Sequence, residues 1–153
     1  MPHIHEKIDF TVEVFIVHKN KVLLRLHDKF KIWLSVGGHI ELDEEPNQAA
    51  VREVKEEVGL DITLVGKVEQ FKQEDEGHRQ LIPPKFMKIH RISPIHEHVV
   101  FTYFATTESD DVKPEKADDE WKWVNRKELD AMDLKPDIRF YAEEALKELG
   151  RPA

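Results

Sequence analysis

The chain has no cysteine, which excludes disulfides, thiolate zinc sites and cysteine nucleophiles. No apolar run is long enough to span a bilayer, and the N-terminal MPHIHEKIDF has no apolar signal core. The expectation is a cytoplasmic protein with no membrane partner. Positive charge is the minority sign, with 23 Lys and Arg against 31 Asp and Glu and a formal net charge of −8. Such a balance gives no support to binding a nucleic acid polymer. It also repels a phosphate-bearing substrate unless metal ions or local basic residues intervene. Repeats, low-complexity tracts and linkers are missing too. Residues 1–153 therefore read as a single domain, and 40% hydrophobic residues argue against disorder.

What the chain does have is concentrated in residues 37–60, GGHIELDEEPNQAAVREVKEEVGL. From Pro46 to Val58 the apolar residues Ala50, Val51, Val54 and Val58 recur at three- and four-residue intervals, predicting a helix with one buried stripe. Glu53, Glu56 and Glu57 repeat the same spacing and predict three carboxylates on another face. Like charges that close oppose a helix unless a cation lies between them. Carboxylate oxygens combined with substrate phosphates are what Mg²⁺ prefers, so the pattern points to a metal-and-phosphate site. Pro46 suits the first helical turn and Gly59 its terminator. Glu45 is a weaker cap than Ser, Thr or Asp, so this helix start reads as not shaped for stability alone. The adjacent Gly37 and Gly38 suit a tight turn or a close approach of backbone to ligand.

The flanks are rich in strand signals. FTVEVFIVH and KVLLRLH read as strands in a hairpin turned at Asn20, with Arg25 and His27 on one face of the second. Arg25 is a candidate phosphate contact, weighed against a solvent-facing strand arginine. DITLVGKVEQF reads as one or two strands broken at Gly66, and residues 74–86 as a long loop of the kind that covers binding sites. MKIHRIS, HEHVVFTYFAT and EWKWV read as further strands, the last with both Trp on one side. Residues 107–120 read as an acidic loop and NRKELDAM as a short helix or turn. PDIRFYAEEALKEL reads as an amphipathic helix stopped by Gly150 and Pro152. His3 and His5 read as a solvated terminus. His96 and His98 have the spacing of a metal pair on one strand face. No third ligand lies near them in sequence, so they read as substrate-facing or exposed. Trp33, Phe86 and Tyr103 read as core residues rather than base-stacking ones.

Gly38, Glu44, Arg52, Glu53, Val54, Glu56, Glu57, Gly59 and Leu60 fill every fixed place of the Nudix box, and the chain resembles the Nudix hydrolase family. At ordinary residue frequencies a chance match in a chain this long is on the order of one in ten million. The resemblance implies an α/β protein of α/β/α architecture, a mixed β-sheet between helices, with the box as loop–helix–loop. It implies Glu53, Glu56 and Glu57 as ligands of Mg²⁺ or Mn²⁺. It implies Arg52 orienting a box carboxylate with Glu44 as its partner, and Gly38 supplying a turn against the metal site. The implied reaction is hydrolysis of a diphosphate bond in a nucleoside diphosphate linked to another group, by in-line attack of an activated water.

The base that activates this water stays open among Glu57 on the helix and Glu115 and Glu120 at the acidic loop. Substrate identity stays open as well. Pro83 and Pro84 lie further on than the proline of ADP-ribose pyrophosphatases. The aromatic–proline array of NADH pyrophosphatases and the tyrosine of dinucleoside polyphosphate hydrolases are missing. A nucleoside triphosphate or nucleotide-sugar remains as the small-molecule partner, with 74–86 as part of the deciding region, and the protein stands as a monomer or homodimer. A binding or regulatory protein of the same fold is the alternative, though such proteins usually lack box carboxylates. An isomerase of allylic diphosphates would be expected to need a cysteine that is not here.

Overall fold

The computed structural model describes residues 4–27, 31–71 and 77–150. Two elements lead in from the N-terminus, β1 (Ile8–His18) and β2 (Lys21–Leu26), followed by the short β3 (Trp33–Leu34) and β4 (Val36–His39). The helix α1 (Pro46–Val58) and β5 (Thr63–Leu64) come next. Then follow β6 (Phe86–Ser93), β7 (His96–Thr106), β8 (Glu120–Val124), α2 (Arg126–Asp130) and α3 (Pro136–Leu149).

The strands form one mixed eight-stranded sheet. β1 is its axis, because its β-branched and aromatic run can be buried on both faces. It lies parallel to β7 from Ile8↔Glu97 to Val17↔Thr106. Its other edge is shared antiparallel by β4, through Thr11↔His39 to Val14↔Val36, and by β2. Lys19 and Asn20, both at positive φ, make the two-residue hairpin turn that joins β1 to β2.

Strand alternation then sorts the two layers. Val12, Val14 and Ile16 face a core completed by Val54 and Val58 of α1. Phe15 and Val17 face the opposite core, built on Ile138, Tyr141 and Ala142 of α3. The architecture is helix, sheet, helix, as the resemblance implies. Along β1, the α3-side positions nearest the N-terminus are Asp9, Thr11 and Glu13, a polar continuation of that face. No helix among the described residues is long and apolar enough to cross a membrane.

Several local expectations change. Glu45 is a working cap: its carboxylate accepts the Gln48 backbone N–H at 2.5 Å, and Gln48 accepts the Glu45 N–H at 3.0 Å. The reciprocal pairing of a capping box offsets the weakness of glutamate alone. Val51 is 43% exposed, because the buried stripe of α1 is centred on Ala50, Val54 and Val58 and widens towards Ala49 and Glu53. Only Thr63 and Leu64 of 61–71 pair with β7, so that segment is mostly irregular. Gly37 and Gly38 lie within β4 and make no turn. His3, Pro152 and residues 72–76 of and beside the long loop lie outside the described residues. The short helix, the C-terminal helix and the one-sided Trp121–Trp123 pair agree with expectation, and Trp33, Phe86 and Tyr103 pack in or against the cores.

Candidate active site

Gly38 earns its place by what it leaves out. A Cβ there would lie 2.3 Å from Cδ of Glu53, whose carboxylate occupies that space. Glu53 is only 5% exposed, and burying a carboxylate costs several kcal/mol unless it is compensated. Compensation comes from Arg52, whose Nη1 donates to Glu53 Oε1 at 3.0 Å. Burial still dominates, and the Glu53 carboxyl is held above its ordinary range.

Arg52 is the hub of the box. Its Nε and Nη2 donate to Glu44, the shortest contact being 2.6 Å, and this pairing pulls the Glu44 carboxyl below its ordinary range. Nη1 also donates to Glu56 Oε2 at 3.0 Å, and Nη2 to the His39 carbonyl at 2.9 Å. A planar guanidinium can serve four groups in this way and an ammonium cannot. It is also the cation that the crowded glutamates require. The three box carboxylates do not share one environment, however: Glu53 is buried, Glu56 is half exposed and Glu57 is largely buried.

Burial, and after it the charge of Glu53, pushes the Glu57 carboxyl up to about 8, against partial relief from Arg25 and the Gly37 N–H. Arg25 is no solvent-facing residue. It sits 4.0 Å from Glu57 and 3.7 Å from Asp119, with its guanidinium over the Trp121 ring. The acidic loop is not free either. Lys113 N–H donates to the Val58 carbonyl at 2.8 Å and Glu115 N–H to the Glu57 carbonyl at 2.9 Å, docking the loop on the last turn of α1. Glu115 thereby adds to the negative field at Glu57. Glu120 falls differently. It is exposed and shares a strand face with Val124, opposite Trp121 and Arg25, so alternation turns it away from the box. Asp119, with a side chain only 6% exposed, is the acidic residue that faces Arg25.

Arg25, Gly38 and Glu57 line a cleft of about 260 Å³ together with Thr11, His39 and His98. A larger hollow of about 650 Å³ near Gly59, Asp61 and Thr107 contains no box carboxylate. His96 is buried and packs against Asp9, while His98 stands beside His39 in the cleft wall. The expectation of an exposed pair fails for His96, since Asp9 and His39, remote in sequence, close around both histidines. The loop expected to shape the substrate pocket meets the start of α1, where Arg79 Nη2 donates to the N-cap Glu45 at 3.0 Å and Asn47 holds Ile82. Asn47 donates to the Ile82 carbonyl at 2.9 Å and accepts the Ile82 N–H at 2.8 Å. Asp9, Glu13, His39, Asn47 and Asp119 were not singled out by spacing. His39 and Asn47, beside the glycine pair and Pro46, had neighbours in the motif to mark them.

The donors gathered here are hard carboxylate oxygens, one fitted into the space of a missing Cβ and one with its carboxyl pushed up to about 8, chiefly by burial. That donor set fits Mg²⁺ or Mn²⁺.

A family model described as NUDIX domain matches residues 9–147. A hydrolase of the NUDIX family from Clostridium perfringens is 39% identical in sequence. Its structure superposes with a TM-score of 0.80 over 92% of this chain and 97% of that one. A MutT NUDIX hydrolase from Burkholderia pseudomallei, 20% identical, has a TM-score of 0.61 over 94% of this chain and 99% of its own, a likeness of fold. A CTP pyrophosphohydrolase of Escherichia coli (strain K12) is 29% identical over 107 residues, 64% of this chain and 76% of that protein.

Proposed function

Because the chain belongs to the Nudix hydrolase family, we propose that it hydrolyses a diphosphate bond in a small nucleoside diphosphate-linked compound, a nucleoside triphosphate or nucleotide-sugar. The observation that carries this reading is the buried pair Glu53 and Glu57 beside Gly38, which is intelligible as a cation site and costly as anything else. The triphosphate end of the range is supported by the name of the CTP pyrophosphohydrolase relative.

In this reading Glu53, Glu56 and Glu57 hold Mg²⁺ or Mn²⁺. The chemistry an ion of this kind supplies is neutralisation of the diphosphate oxygens and orientation of water for in-line attack. Arg52 positions Glu53 and Glu56 without touching substrate, and its bond to the His39 carbonyl keeps α1 in register with β4. Arg25, in the cleft 4.0 Å from Glu57, offers a cation to a phosphate. Glu115, whose charge is felt at Glu57, is the base proposed to take the proton from the attacking water.

The test is a panel of nucleoside triphosphates, nucleotide-sugars and dinucleotides assayed with Mg²⁺ and with Mn²⁺, with products identified. Cleavage within a diphosphate linkage, dependent on the divalent ion, is expected. No turnover across the panel would overturn the reading and favour a nucleotide-binding module.

A further inference from the structure

Three strands converge on a second group of ligating side chains that the box does not use. Asp9 on β1 stands in register with His98 on β7, and His39 ends β4 on the other side of β1. One ligand atom each from Asp9, His39 and His98 lies within 4.8 Å of the others. Asp9 is fully buried. Its Oδ1 accepts the His5 backbone N–H at 2.6 Å, and its Oδ2 accepts that of Ile4 at 3.1 Å. His39 Nε2 is 3.1 Å and His96 Nε2 is 3.3 Å from Oδ2.

The chemistry of this group differs from that of the box. A single buried carboxylate among imidazoles is a borderline donor set, suited to zinc-class ions rather than Mg²⁺. His96 supplies a support of the kind such sites use. The Glu6 carbonyl, 3.0 Å from Nδ1, can only accept, so Nδ1 carries the proton. Nε2 is thereby turned towards Oδ2 of Asp9, 3.3 Å away. The ordered carboxylate and the supporting histidine both belong to a built site. Three protein ligands also leave one position open, and His39 and His98 line the cleft into which it would open.

We propose that Asp9, His39 and His98 form a second, nitrogen-rich site for a divalent transition-metal ion of the zinc class, in the wall of the cleft that also holds Glu57. It does not rest on the reading of the box, since neither its ligands nor its ion are shared with the glutamates. With about 2.1 Å bonds the ligand atoms of a tetrahedral site stand roughly 3.4 Å apart, so the three side chains need to close by about an ångström.

The test uses the full chain, stripped with chelator, exposed to ZnCl₂ or CoCl₂ in a large excess of Mg²⁺, and desalted. One transition-metal ion retained per chain is expected. His39→Ala and His98→Ala should each weaken retention at least tenfold, while Glu57→Gln retains the ion as wild type does. No retention by wild type overturns the proposal. So does retention as in wild type by both histidine variants, or loss in Glu57→Gln alone. If the histidine variants do not fold, X-ray absorption of the Co²⁺-loaded wild type decides: imidazole scattering supports the site and an all-oxygen shell overturns it. Turnover of nucleotides enters none of these readouts, so failure here is distinguishable from failure of the hydrolase reading.

Discussion

The Nη2 of Arg52 donates to the main-chain carbonyl of His39 at 2.9 Å, so a side chain of the box helix holds the strand that carries the glycine pair. The same guanidinium holds Glu44, Glu53 and Glu56. Arg52→Lys keeps the charge and loses the fork. It should lower kcat by about ten- to a hundredfold, the usual scale for a residue that orients ligands, with a smaller change in KM. Steady-state kinetics check this, and an unchanged kcat would remove Arg52 from the positioning role.

The two glycines of β4 should respond differently to alanine. At position 38 the added Cβ meets the end of a flexible side chain, Glu53, which can move away. Gly38→Ala should fold with little loss of stability yet lose on the order of a hundredfold in turnover, the cost of displacing a catalytic group by about an ångström. At position 37 the Cβ meets the Val12 carbonyl at 2.3 Å, which is strand backbone. Gly37→Ala should destabilise by about 1–3 kcal/mol, as overpacking does. Urea unfolding alongside kinetics separates the two.

The pH dependence follows from Glu57. Its carboxyl is pushed up to about 8 from an ordinary 4.5 by burial first and by Glu53 second. A carboxyl raised in the folded state contributes stability that is complete below the unfolded value and is lost as pH climbs through the folded one. The ion-free protein should therefore lose stability between these two values, and Mg²⁺ should restore more of it at the upper end, because binding expels the proton. Thermal melts with and without Mg²⁺ measure this. Glu57→Gln should flatten the trend and abolish Mg²⁺-dependent phosphate release while the fold stays intact. Retained turnover in that variant would sink its assignment as a ligand.

Glu115 and Glu120 offer a clean contrast. Glu115→Gln should reduce kcat by about 10²–10⁴-fold, the range for loss of a general base, with Mg²⁺ affinity little changed. Glu120→Gln, on the strand face opposite Trp121, should behave as wild type. The reverse result would move the base to β8.

Asn47→Ala leaves both the N–H and the carbonyl of Ile82 without their partner. The cost should be about 1–3 kcal/mol for stranded part-buried polar groups. Faster amide exchange at Ile82 and a raised KM should accompany it, because the long loop would lose its anchor on α1.

The box was legible because its chemistry is local. Glu53, Glu56 and Glu57 sit within two turns of helix, where spacing alone states geometry. The layers were legible for a similar reason, since alternation along β1 and β7 reports which face each residue buries. Asp9, His39, His96 and His98 were opaque because their meeting depends on the order of β4, β1 and β7 across the sheet, which no spacing encodes. The meeting of Arg25, itself marked as a candidate, with Asp119 was hidden in the same way, by a β2–β8 pairing that joins residues almost a hundred positions apart. The weak-cap reading of Glu45 treated the residue alone, whereas Gln48 three places on completes it.

The helix that carries the glutamates is held at both ends by other parts of the chain. Near its start Asn47 grips Ile82, and at its end the carbonyls of Glu57 and Val58 hold residues 113 and 115. Two surface segments are thus hung from one spindle. Any sliding or tilt of that helix is felt at Ile82 and at residues 113 and 115 together, so the two segments report on each other through it.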